Sequence, residues 1–308
     1  MARPLLCALL LCAACSDDTF VEVRDFGSNP GALRMFEHAP PEVATPAPLL
    51  VVLHGCAQDH GFAQTGGFTQ LADQAGFVVL APEQGLFNNG DLCFNWYDDA
   101  DTLLDRGEAH SIKQMIDSVL DRYVIDDERI FLVGVSAGAA MASMLVVDYP
   151  ELIDGAAIFA GGPAGCAHSV ADSAACMTAT MSTAVDDGDA WADRVRDLTD
   201  HAGPWPRILA IHGADDLVVN PKMTDALVAQ WTTLHAVSRR AGATLDSSAG
   251  PIEVETFGDN REVESVRFSN VGHTMPVDID GGCGAAAPFL DDLDFCTARH
   301  AAEFFAID

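Results

Sequence analysis

Gly134-Val135-Ser136-Ala137-Gly138 is the stretch of this chain best suited to do chemistry. It follows the apolar run Arg129-Ile130-Phe131-Leu132-Val133 and opens the Ala/Met-rich segment Ala139 to Leu145. That is strand, G-x-S-x-G, helix. In this setting a tight turn lifts a serine Oγ above the sheet edge, and small residues on both sides let the turn form. The bare motif is weak, and a glycine-rich loop with an incidental serine is the plain alternative. The strand before and the helix after favour Ser136 as a nucleophile for acyl transfer.

A serine hydroxyl needs a base to take its proton, and the base needs a third group to fix its tautomer. Acid then histidine is the expected chain order after a G-x-S-x-G serine. The acid candidates lie in His212-Gly213-Ala214-Asp215-Asp216, just after the apolar run Ile208–Ile211. Asp216 is favoured, because the apolar run that follows would bury its surroundings; Asp215 instead suits a turn cap. The base candidate is His273 in Asn270-Val271-Gly272-His273-Thr274-Met275-Pro276. His300, in the terminal helix, reads as structural, and His212 as a brace for the acid.

Two backbone N–H groups aimed at one point would hold the oxyanion. Ala137 is expected to supply one and Cys56, in His54-Gly55-Cys56-Ala57-Gln58 after Leu49–Leu53, the other. Trp96, near that loop, is a candidate pocket wall, with a plain core role as the alternative.

These groups need a scaffold. Short apolar runs at Leu49–Leu53, Phe77–Leu80, Ile130–Val133, Ala156–Phe159 and Ile208–Ile211 read as strands. Ile252–Phe257 alternates like a strand, and Glu264–Phe268 does so more weakly. Between them, Phe68–Ala75, Ser111–Leu120 and Met223–Val237 read as helices, and Ala298–Ala306 closes the chain as another. The alternation predicts an α/β fold, a mostly parallel central sheet with helices on both faces.

Composition narrows the partners. The 308 residues carry a net charge of −30, which repels phosphate backbones and argues against nucleic acid. The acidic segment from Asp186 to Asp200 reads as a solvated face. Residues 1–15 hold Arg3, an apolar run and small residues, the pattern of a secretory signal too short to span a bilayer. Ala13-Ala14-Cys15 also resembles a bacterial lipobox, with Cys15 as the lipidated residue and a membrane tether as the consequence; ordinary cleavage is the alternative. The chain is thus expected outside the cytoplasm, secreted or periplasmic, with one catalytic domain over residues 16–308.

Past the leader stand Cys56, Cys93, Cys166, Cys176, Cys283 and Cys296, an even set that suits disulfides in an oxidising compartment. Proximity suggests Cys166–Cys176 and Cys283–Cys296, leaving Cys56–Cys93, a bridge that would pin the Cys56 donor loop to Phe94-Asn95-Trp96. The spacings hold no zinc pattern and no H-E-x-x-H, so no metal is expected, and serine acyl transfer needs no cofactor.

Taken together, these motifs resemble the polyhydroxybutyrate depolymerase-like esterases, similar to feruloyl and acetylxylan esterases of the α/β-hydrolase superfamily. The resemblance runs through Asn29-Pro30-Gly31, Leu53 to Gln58, Cys93-Phe94-Asn95-Trp96, Gly107-Glu108-Ala109-His110-Ser111-Ile112, Gly134 to Met141, Gly272 to Asp278, and Cys283 through Cys296. It departs at Phe68, where many relatives have tryptophan. It implies a serine esterase with Ser136, Asp216 and His273 as its triad, acting on short-chain hydroxyalkanoate esters, oligomeric or polymeric. Aryl or acetyl esters of plant polysaccharide are the alternative within that class. A catalytically inactive binding protein on the same scaffold is the alternative outside it.

Overall fold

The computed structural model describes residues 19–308, so the leader at 1–15 and Cys15 lie outside the described residues. The chain enters through β1 (Val21–Val23), β2 (Arg34–His38) and β3 (Ala47–Leu53), then α1 (Gly61–Thr65) and α2 (Phe68–Ala75). β4 (Val78–Glu83), α3 (Asp99–Thr102), α4 (Gly107–Arg122), β5 (Ile125–Val135) and α5 (Ala137–Asp148) follow. Next come β6 (Gly155–Phe159), α6 (Val170–Met177), α7 (Gly188–Leu198), β7 (Arg207–Gly213) and α8 (Lys222–Leu234). β8 (Arg239–Ser247), β9 (Gly250–Phe257), β10 (Val263–Phe268), β11 (Met275–Val277), β12 (Leu290–Asp292) and α9 (Thr297–Phe305) close the chain.

Ten strands form one sheet in the order β1-β2-β4-β3-β5-β6-β7-β10-β9-β8. The strands from β4 to β10 in that order pair in parallel. The edges, β1-β2 and β9-β8, join through antiparallel pairs.

The parallel strands read as unbroken apolar runs because both of their faces are buried. In β3 the alternation is explicit. Leu49, Val51 and Leu53 pack with Ile112, Met115, Met141, Leu145 and Leu227 of α4, α5 and α8. Leu50 and Val52 pack on the other face with Phe68 and Leu71 of α2 and Phe304 of α9. The expected helical cover on both faces is present. α5 is buried along nearly its whole length, which is why its sequence is apolar all round.

Parallel strands share a direction, so their carboxyl ends lie along one sheet edge, where α/β proteins build sites. The loops leaving β3, β5, β7 and β10 meet there.

The acidic segment presents its aspartates to solvent, as expected. Most of it folds as α7, whose opposite side buries Trp191, Ala192 and Val195. Among the described residues no helix is long and apolar enough to cross a membrane.

Candidate active site

Ser136 stands between β5 and α5 with φ 54° and ψ −118°, a left-handed backbone few non-glycine residues adopt. The glycines of the motif allow it. A Cβ on Gly134 would lie 2.3 Å from the Gly138 carbonyl oxygen, and one on Gly138 would lie 2.3 Å from that of Leu53. Turn and strand ends touch backbone to backbone, which leaves room only for hydrogen. The Ser136 amide donates to the Phe159 carbonyl at 2.9 Å, and the side chain remains partly exposed.

His273, in the loop after β10, lies with Nε2 3.0 Å from Ser136 Oγ. Its Nδ1 lies 2.6 Å from Asp216 Oδ2. Asp216 is buried and Asp215 is exposed, which separates the two neighbouring acids. The two loops are tied by Asp215 N donating to Val271 O at 2.9 Å.

The Asp216 carboxylate accepts four donors. Oδ1 takes the amides of Val218 (2.7 Å) and Val219 (2.9 Å). Oδ2 takes His273 Nδ1 and, at 3.0 Å, His212 Nε2. Burial pushes its pKa up, but the bonds from His212 and His273, and that from Val219, outweigh burial and hold it well below the usual carboxylate range. With the acid ionised, His273 Nδ1 carries the proton and Nε2 is free to accept the serine proton. His212 is fully buried, and its Nδ1 meets the Thr224 hydroxyl at 2.6 Å, so it braces the acid as its sequence position suggests.

Cys56 and Ala137 line the same cavity as Ser136. Gly55 N donates to Gln58 Oε1 at 2.8 Å, and Ala57 N donates to Asp91 O at 2.9 Å. The Cys56 amide between them makes no such bond among the described residues. Cys56 is disulfide-bonded to Cys93, and the other pairs are Cys166–Cys176 and Cys283–Cys296, the pairing that proximity suggests.

The cavity beside Ser136 is narrow, ≈ 50 Å³. Its walls include Trp96, Ala140, Met144, Met223, Val219 and the Cys166–Cys176 bridge, with no charged side chain. Trp96 lines this cavity and also packs against the hydrophobic core. His300 lies elsewhere, with Nε2 2.8 Å from Glu264 Oε1, a structural pairing. One carboxylate cluster, Asp278, Asp292 and Asp294, has oxygens within 4.8 Å of one another. Asp278 and Asp292 accept the loop amides of Gly281 and Ile279, so they brace their own turn.

Sequence reasoning missed Phe289. Its ring stands 6.2 Å from that of His273, edge to face, and the residue is 45% exposed at the mouth of the site. Nothing in the local pattern marks it, because the loop that carries it has no periodicity.

A family model described as Esterase PHB depolymerase matches residues 35–251. The chain is 34% identical over 311 residues to a poly(3-hydroxyalkanoate) depolymerase C of Paucimonas lemoignei, an alignment covering 98% of this chain and 74% of that one. It is 30% identical to an acetylxylan esterase of Coprinopsis cinerea, over 83% of this chain and 69% of that one. Among solved structures, an acetyl xylan esterase from Aspergillus awamori superposes with a TM-score of 0.77 at 22% identity, covering 94% of this chain and 99% of that one.

Proposed function

The chain belongs to the esterase PHB depolymerase family and has an α/β-hydrolase fold, and from that premise we propose that it cleaves short-chain hydroxyalkanoate esters through an acyl-enzyme on Ser136. It is a carboxylic-ester hydrolase. The observation that carries the reading is the bridge made by His273, which contacts Ser136 Oγ and Asp216 Oδ2 through its two ring nitrogens.

Ser136 Oγ attacks the ester carbonyl carbon while His273 Nε2 takes its proton. The carbonyl oxygen becomes an oxyanion and accepts from the Cys56 and Ala137 amides. The C–O bond to the alcohol breaks, and His273 returns the proton to the leaving oxygen. Water, deprotonated by the same nitrogen, then releases the acid and restores the serine. Asp216 holds the ring and balances its charge. No step calls on a cofactor or a metal.

The pocket supports a short acyl group. The space beside Ser136 is narrow and its walls are apolar, which favours a small uncharged acyl chain. We take residues 16–308 as one catalytic domain, and read export from residues 1–15 and from the three disulfides.

The experiment is a panel of p-nitrophenyl esters of rising chain length, hydroxybutyrate trimer and a methyl hydroxycinnamate, with serine-directed phosphonate labelling alongside. Turnover of the trimer and short esters, with labelling lost in Ser136→Ala, is expected. Faster turnover of the hydroxycinnamate than of the trimer would move the substrate to plant polysaccharide esters. An unlabelled wild-type chain would make it a binding protein.

A further inference from the structure

Several sequence motifs that the triad leaves unexplained converge on one buried cluster. Glu108 at the start of α4 is fully buried, with no cation on its carboxyl among the described residues. Its Oε2 accepts the Asn95 amide at 2.8 Å. Its Oε1 accepts Gln84 Nε2 at 2.6 Å and Asn88 Nδ2 at 2.9 Å. The Asn29-Pro30-Gly31 turn closes over it. A Cβ on Gly31 would fall 2.5 Å from Glu108 Cα, and Gly31 O takes a second bond from Asn88. Burial pushes the Glu108 carboxyl up to about 8 against the pull of these donors, so the chain keeps a costly group here.

Both arms of the cluster end at Cys56. Along the first arm, the Gln84 backbone amide donates to His54 Nε2 at 3.1 Å. Burial pushes the His54 pKa down, so its ring is neutral, and with Nε2 accepting, the proton sits on Nδ1. Nδ1–H then donates to the Gly55 carbonyl at 2.7 Å. That carbonyl and the Cys56 N–H belong to one planar trans peptide, where they point in opposite directions. Fixing the Gly55 oxygen therefore fixes the direction of the Cys56 N–H. Along the second arm, Gln84 Nε2 also donates to the Cys93 carbonyl at 2.9 Å, and Cys93 is bonded through sulfur to Cys56. Asn95, held by Glu108, lies two residues beyond Cys93.

We propose that Glu108 is the positioning residue of the oxyanion hole, aiming the Cys56 N–H through Gln84 and His54 on one side and through the Cys93 bridge on the other. This rests on the role given above to the Cys56 amide. The groups bonded to the Glu108 carboxyl oxygens are all donors, so above its raised pKa, where the carboxyl is ionised, the amide of Glu108→Gln sets an NH₂ against a donor in either orientation. The peptide then loses its fixed direction. An oxyanion exists only after attack, so the loss falls on the transition state and not on substrate binding.

The test compares wild type, Glu108→Gln and Gln84→Met at about pH 9, where Glu108 is ionised, on p-nitrophenyl acetate and against two inhibitors. A trifluoromethyl ketone forms a hemiketal oxyanion on the serine; its parent methyl ketone binds without that charge. The expected result is a kcat lower by about 10- to 100-fold with KM within about twofold, and a matching loss of affinity for the trifluoromethyl ketone alone. Gln84→Met carries the same expectation should Glu108→Gln fail to fold. Unchanged kcat, a change confined to KM or thermal stability, or a fall in kcat with full trifluoromethyl ketone affinity would each overturn the proposal. Activity surviving in Ser136→Ala would instead overturn the triad on which it rests.

Discussion

His212 Nε2 lies 3.0 Å from Asp216 Oδ2, so the carboxylate that orients one imidazole is itself gripped by a second. The second ring is fully buried and cannot reach substrate. A hydrogen bond to a charged group contributes about 1.5–3 kcal/mol. His212→Leu should therefore lower kcat by about 10- to 100-fold with little change in KM. His212→Gln, which keeps an N–H donor of similar reach, should recover part of the loss. Steady-state kinetics on p-nitrophenyl acetate checks both.

The two neighbouring acids offer a sharper contrast. Asp216→Asn removes the charge that fixes the His273 tautomer and should cost about 10⁴-fold in kcat. Asp215→Asn, exposed and outside the relay, should stay within about twofold of wild type. Comparable losses in both variants would show that the relay is wrongly drawn.

Asp148 links stability to pH. Its Oδ2 is buried with no hydrogen-bond partner among the described residues, and burial, aided by Asp105, pushes the carboxyl up to about 8 from an ordinary 3.8. The folded chain holds a proton there that the unfolded chain releases. Its contribution to stability therefore declines as pH rises from about 4 to about 8. Asp148→Asn should be the more stable protein, by about 1–3 kcal/mol at pH 8 and by less at pH 5. Urea melts of both proteins at the two pH values test the slope.

The acyl pocket can be re-cut. Met223 is fully buried and forms part of its wall. Met223→Ala should raise the hexanoate-to-acetate ratio of kcat/KM by about tenfold. The new space should also cost stability, about 2–5 kcal/mol. A ratio unchanged in a folded variant would place the acyl group elsewhere.

Much of the scaffold was legible because the parallel strands and their helices are buried and periodic. α2 falls at Phe68–Ala75 as the spacing predicts, and β3, β6, β7 and β10 differ from expectation by a residue or two at their ends. The edges were not legible. β8 is exposed along almost its whole length and carries no alternation, because its ladder with β9 rather than a core holds it. The residues of the proposed triad could be picked out from motif and order, the structure brings them within hydrogen-bond distance, and burial separates Asp216 from Asp215. The Gln84–Glu108 cluster could not, since buried polar groups that satisfy one another across distant segments leave no period in the chain. Phe289 was hidden for the same reason, as only tertiary contact brings it to His273.

The backbone at Ser136 sets two qualities of this protein against each other. At φ 54° and ψ −118° a side chain is a burden and a bare Cα is at ease. Ser136→Gly should therefore melt higher than the working enzyme while doing no work. At this one position, mutation toward sturdiness leads directly to loss of function, so only demand for turnover keeps the hydroxyl where the chain would sooner relax.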